Sequence, residues 1–198
     1  MWISWKHRKS DFSAPLTFEQ SVDVFYEQTL GWQLHIADLI ANGGATFDET
    51  DPNGRGYEVL AIRHSGFAML HICLSYFELV GSLVAPKSKN LTDKFKAGVR
   101  EVLPSLFNGS ADDEKLLKCL HKGARCGLYH LGRTRSQVGL GGDNVLTYIA
   151  KSNQVVINPS LFPVALKAHL KKFRLELLNP ANVALRQEFQ RCFDNGFE

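Results

Sequence analysis

The stretch from Tyr57 to Val84 constrains this chain most, because it reads as one long helix that is apolar nearly all round. Such a helix must be covered on most of its circumference, which places it at the centre of a bundle. One stripe on it differs: His64, Ala68, His71, Ser75, Glu78 and Ser82 recur at helical spacing. His64, His71 and Glu78 therefore stack along one face. That stripe is either where the helix meets solvent or the wall of a cleft. In a cleft, Glu78 is the carboxylate best placed to partner a basic residue elsewhere.

The flanking segments supply the covering helices. Thr17-Phe-Glu-Gln20 has the form of a capping box. Phe18, Val22, Phe25, Thr29, Trp32, Ile36 and Leu39 then follow at spacings of four and three, one apolar stripe on a helix of about seven turns. Residues 45–56 are polar and rich in turn residues. Asp48, Glu49 and Asp51 lie there, but the spacing of a calcium loop is absent. Asn90 or Thr92 can cap a third helix carrying Phe95, Val99, Val102 and Leu106, with Pro104 bending or ending it. Asn108-Gly109-Ser110 stops the chain and restarts it, with Ser110 as cap and Asp112, Asp113 and Glu114 at the positive end of the next helix. From Ser136 the pattern becomes a short β-hairpin, alternating over 145–149 and resuming at Val155–Ile157. Asn158-Pro159 starts a helix with Phe162, Leu166, Leu170, Phe173 and Leu177 on its core side, and Asn179-Pro180 starts a last one with Leu185, Phe189 and Phe193.

The fold class this predicts is all-α, a single helical bundle of about six helices with a small β-hairpin after the fourth, and one domain over residues 1–198. Residues 1–10 hold Trp2, Ile3 and Trp5 beside Lys6, Arg8 and Lys9, without the apolar core of an export signal. They are expected to dock on the bundle. The longest apolar run, 67–84, is broken by His71, Ser75 and Glu78 and falls short of the roughly 20 residues of a bilayer span. Cys73, Cys119, Cys126 and Cys192 are scattered with no CxxC pair. These features predict a cytoplasmic protein with reduced thiols and no membrane partner.

Charge singles out the fourth helix. Residues 1–110 hold 10 Lys and Arg against 12 Asp and Glu, whereas residues 111–198 hold 13 against 8. Between Lys115 and Gly142 there is no acidic residue, yet Lys115, Lys118, Lys122, Arg125, Arg133, Arg135, His121 and His130 all lie there. This is either a solvated helix face or a place to hold phosphate and move a proton. Arg125 and His130 are five apart, so on an ideal helix they point about 140° away from each other. They share a target only if the helix ends or bends near Gly127, or if a twofold dimer brings together residues of two chains.

Arg125-Cys-Gly-Leu-Tyr-His130, inside the longer Cys119-LHKGARCGLYHLGRT-Arg135, resembles the Arg-x(4–6)-His signature of the HEPN superfamily, all-α domains many of which are RNases. The order of two long helices, a motif helix, a hairpin and C-terminal helices resembles it as well. The resemblance implies a metal-independent endoribonuclease that acts as a homodimer on RNA and needs no cofactor. In that reading His130 moves the proton, Arg125 holds the scissile phosphate, and Glu78 orients a catalytic group. Lys122, Tyr129, Arg133 and Arg135 contact or stack on the RNA, and His71 and His121 are secondary candidates. A toxin of this kind would pair with an antitoxin protein. Cys126 stands where active members often carry Asn, Asp or His, a departure that bears on catalysis rather than fold. Two other readings remain: a module of the same fold that binds RNA or nucleotides without cutting, and a structural interaction protein. A metal site on Cys126 and His130 lacks further ligands, since Cys119 is about 16 Å from His130 along a helix.

Overall fold

The structure, a computed structural model, describes residues 1, 3–47, 56–142, 144–149 and 154–196. Trp2, the acidic loop with Asp48, Glu49 and Asp51, and most of the turn at 151–154 lie outside the described residues. The protein is mainly helical with two small sheets.

The first rod begins where the sequence places it. Thr17 Oγ1 accepts from the Gln20 N–H at 3.2 Å, and the Thr17 N–H donates to Gln20 Oε1 at 2.8 Å. Helix α1 (Phe18–Thr29) passes through a π-helical turn (Leu30–Leu34) into α2 (His35–Asn42). A π turn holds more residues per turn, so it rotates everything beyond it. Val22, Phe25 and Thr29 are buried as the stripe requires, but Trp32 is 48% exposed and Ile36 also leaves the core. Gly31, Leu34 and Ala37 are buried in their place. The N-terminal segment does dock here: a Cβ on Gly31 would lie 2.1 Å from Trp5 Cγ, and the Trp5 indole N–H donates to Glu27.

The long central helix is shorter than its apolar run. Strand β1 (Gly44–Phe47) pairs antiparallel with β2 (Gly56–Val59), so Tyr57 belongs to a hairpin and α3 spans Gly66–Val84. Gly43, at φ 69°, ends α2, and a Cβ on it would meet Val59 O at 2.7 Å. The Ile62 N–H donates to Ile40 O at 3.0 Å. Residues 57–59 and the Ile62 N–H thus spend their backbone groups on neighbours, which excludes the continuous helix. His64 sits at φ 61° before the helix and leaves the polar stripe.

By length and composition α3 is apolar enough to cross a membrane, at 19 residues and mean hydropathy 1.7. Here it is the centre of the core, with Met69, Leu70, Cys73, Tyr76, Phe77 and Val80 fully buried. Its nearest neighbour is α4 (Leu91–Val102), capped by Asn90, whose side chain accepts from the Thr92 N–H at 2.8 Å. The two helices touch through glycine. A Cβ on Gly81 would lie 1.9 Å from Lys94 O, and one on Gly98 1.9 Å from Phe77 O. Pro104 opens a short 3₁₀ turn just beyond α4.

The next rod runs as α5 (Ala111–Lys118), a π-helical stretch (Cys119–Arg125) and α6 (Cys126–Leu131). Ser110 does not cap it with its side chain. The buried Asp113 carboxylate instead accepts from the N–H groups of Asn108 and Gly109, at 3.3 and 2.8 Å. The hairpin read from 145–157 is present as β4 (Thr147–Ile149) against β5 (Val155–Ile157), but β3 (Val138–Leu140) adds a parallel strand on the other side of β5. Helix α7 (Leu161–Leu178) follows Asn158, whose side chain accepts from the N–H groups of Ser160 and Leu161. Its predicted stripe of Phe162, Leu166, Leu170, Phe173 and Leu177 is buried throughout. Helix α8 (Val183–Asp194) closes the core with Phe189 and ends before Gly196, at φ 68°.

Candidate functional site

The motif helix is α5, its π stretch and α6. Three glycines shape it. Gly132, at φ 65°, ends the helix in the left-handed turn that favours glycine, and its N–H donates to Leu128 O at 3.1 Å. The chain then folds back along the helix it has just left. A Cβ on Gly127 would lie 2.7 Å from Arg133 O, so only glycine admits the returning backbone. The Arg135 N–H donates to Gly123 O at 2.9 Å, within the π stretch, and Val138 packs where a Cβ on Gly123 would stand. Gly127 lies inside α6 and does not end the helix. It is where the return segment crosses.

On the side facing α3, the sequence's basic and acidic candidates meet. Arg125 Nε donates to Glu78 Oε1 at 2.7 Å and Nη2 to Glu78 Oε2 at 3.2 Å. The side chains are 18% and 27% exposed, so the pair is half-buried. Burial alone would lower the Arg125 pKa, but the hydrogen bond and charge of Glu78 outweigh it and raise it. The Arg125 guanidinium lies 4.4 Å from the Tyr129 ring centroid. The His71 ring stacks on Tyr129 at 4.9 Å with planes 18° apart. The space left among these residues is about 10 Å³, no more than one water needs. His71 and Ser75 face solvent, as one reading of the polar stripe requires, while Glu78 serves as the carboxylate partner of a distant base.

Arg125 and His130 do not converge within the chain. Arg125 turns toward α3, whereas His130 is exposed, its ring 6.5 Å from that of Tyr129. Arg133 is exposed just beyond the helix end. His121 lies elsewhere, packed on Phe95 with ring centroids 5.2 Å apart. Its Nε2 is 3.4 Å from Thr92 Oγ1 and 4.0 Å from Cys126 Sγ, and its Nδ1 is buried without a partner. Burial first, then the charges of Arg125, Lys96 and Lys122 against that of Glu78, lower the His121 pKa, so it is neutral in the native state at pH 7.

In the sequence Lys122 is a candidate RNA contact, while Lys115 and Lys118 belong only to the general basic run. In the structure the three form a ridge between two open hollows. One, of about 440 Å³, is also lined by Thr92, Lys96, Glu114 and His121. The other, of about 350 Å³, is also lined by Cys119, Arg135 and Gln137. Another hollow of about 490 Å³, lined by residues that include Arg63, His64, Phe67 and Leu140, is reached by none of the predicted site residues. Among the described residues no three His, Cys, Asp or Glu side chains are grouped to hold a metal ion. No family model, curated protein or solved structure matches the chain.

Proposed function

We propose that this protein is a HEPN-like, cytoplasmic helical domain that binds single-stranded RNA at the free end of the motif helix without cutting it. The observation that carries this reading is the column formed by Arg125, Tyr129 and His71. Tyr129 is 58% exposed yet held on one side of the cluster by a guanidinium and stacked on an exposed imidazole. A nucleobase extends such a column by stacking on it, at about 1–3 kcal/mol per base. His130 stands exposed beside it, and Arg133 is exposed just beyond the helix end, both open to phosphates. In a single chain the fork of Arg125 is already filled by Glu78, and about 10 Å³ does not admit a phosphate group. Binding therefore ranks ahead of cleavage.

The test is fluorescence anisotropy with a labelled unstructured RNA. Tyr129→Ala and His71→Ala should each weaken binding about tenfold or more, the worth of one lost stacked base. Unchanged affinity in both would sink this reading.

A second reading, a metal-independent endoribonuclease at a homodimer cleft, is favoured by the exposed position of His130. It requires a twofold partner that brings one chain's His130 to the other's Arg125, with the fork released from Glu78. A mixed RNA pool in EDTA tests it: cleavage by the parent that vanishes in Arg125→Ala and in His130→Ala carries the reading, and no cleavage by a folded parent removes it. In a toxin setting the same surface would be the one an antitoxin protein covers.

A further inference from the structure

We propose that the lysine ridge of the motif helix is a binding site for a short chain of linked phosphates, separate from the Arg125–Tyr129–His71 cluster. Lys115, Lys118 and Lys122 follow at spacings of three and four, which sets them along one helix face over about 10 Å. They wall both hollows, of about 440 and 350 Å³. Two further cations come from other parts of the chain. Lys96 faces the ridge from α4, across the first hollow. Arg135 faces it across the second, carried there by the return over Gly127 and fixed by its N–H bond to Gly123 O. Five cations from three segments thus border one ridge. The single carboxylate among the described lining residues, Glu114, is tied to Lys96 and Arg100 at 3.0 Å each.

The lining also names the ligand class. Neither hollow has a Phe, Tyr, Trp or aliphatic side chain on its described wall. His121, the one ring on the described walls, packs on Phe95, whereas ammonium and guanidinium groups with Thr92 and Gln137 suit phosphate oxygens. A single phosphate meets only part of a ridge this long. Two or three linked phosphates meet all of it, either as free polyphosphate or as the tail of a nucleoside triphosphate.

Isothermal titration at low salt with tripolyphosphate, ATP and AMP tests this, on the full chain and on two charge-matched double variants. Lys118→Glu with Lys122→Glu reverses the ridge, and Lys87→Glu with Lys171→Glu reverses two exposed lysines outside it. Tripolyphosphate and ATP should bind alike and AMP about tenfold more weakly, with the ridge variant losing about tenfold and the control keeping parental affinity. Arg135→Glu, from a different segment, should also weaken tripolyphosphate, so the outcome does not depend on one helix staying folded. Binding of ATP without tripolyphosphate, or of AMP as tightly as ATP, would show base recognition and overturn the proposal. Equal losses in the ridge and control variants would reduce the effect to net charge and overturn it as well. Tyr129→Ala should leave tripolyphosphate affinity unchanged, which keeps this site distinct from the RNA surface.

Discussion

The Glu78 carboxylate closes on the fork of Arg125 through two hydrogen bonds, at 2.7 and 3.2 Å, linking residues 47 apart in the chain. The pair joins the central helix to the motif helix and sets the height at which Tyr129 lies on the guanidinium. Bidentate pairs of this kind are the strong ones, and partial burial limits screening. In urea unfolding, Arg125→Ala should cost about 2 kcal/mol, and a cycle with Glu78→Gln should give a coupling of about 1–2 kcal/mol. A coupling near zero would mean that the pair behaves as a surface contact and does not position Tyr129.

The glycines of the motif helix separate two demands. Gly132 needs its left-handed φ, but a Cβ there meets nothing within 4 Å. Gly132→Ala should therefore cost only the conformational term, about 1 kcal/mol. Gly127 has ordinary φ but faces Arg133 O at 2.7 Å, so Gly127→Ala must push the return segment away. It should cost about 2 kcal/mol or more. It should also weaken tripolyphosphate binding by moving Arg135, whereas Gly132→Ala should not. The reverse order of costs would show that the return segment gives way freely.

What the sequence revealed was local. The Thr17–Gln20 capping box, the Asn90 and Asn158 starts, and the stripe from Phe162 to Leu177 are each decided by a few neighbouring residues, and each is found where it was read. Glu78 was legible as the carboxylate on the polar stripe of an apolar helix, which needs a base wherever the bundle brings one. What was not legible depended on distant packing. The π turn at Leu30–Leu34 sits under Trp5, and the one at Cys119–Arg125 under residues 135–138. Neither partner is signalled by helical periodicity, so Trp32 and Ile36 were placed in a core that the turn rotates away from them. Tyr57–Val59 was read as helix because its apolar character ran on into α3, while the hairpin partner that claims it lies across the acidic loop. The lysine run was visible, but not that three glycines fold Arg135 back beside it.

Where α3 crosses α4, Gly81 and Gly98 each put a backbone against the other helix. An added Cβ would lie 1.9 Å from a carbonyl oxygen in either case, and neither oxygen belongs to a side chain that can swing aside. Gly81→Ala and Gly98→Ala should each cost about 3 kcal/mol or more, at the upper end for overpacking. Chemical denaturation measures this directly. Because both changes force the same crossing apart, the double variant should cost less than the two single losses combined. Full additivity would mean that the helices do not share one contact.

His169 gives the native state a pH limit. Its Nδ1 is 2.8 Å from the buried Tyr76 hydroxyl, its ring stacks on Phe173, and burial, with Lys172 acting against Glu176, lowers its pKa to about 4. The native ring stays neutral at a pH where the unfolded chain, titrating near 6.5, has taken up a proton. Its contribution is therefore complete above about pH 6.5 and is lost as the pH falls toward about 4, amounting at most to roughly 3 kcal/mol. His35 and His121 are lowered in the same direction, so the test is a difference: the parent should lose more stability than His169→Gln between about pH 7 and about pH 4. Glutamine can still bond to the Tyr76 hydroxyl but does not titrate. Parallel curves for the two proteins would mean that His169 protonates in place, with the Tyr76 hydroxyl turning to accept from it.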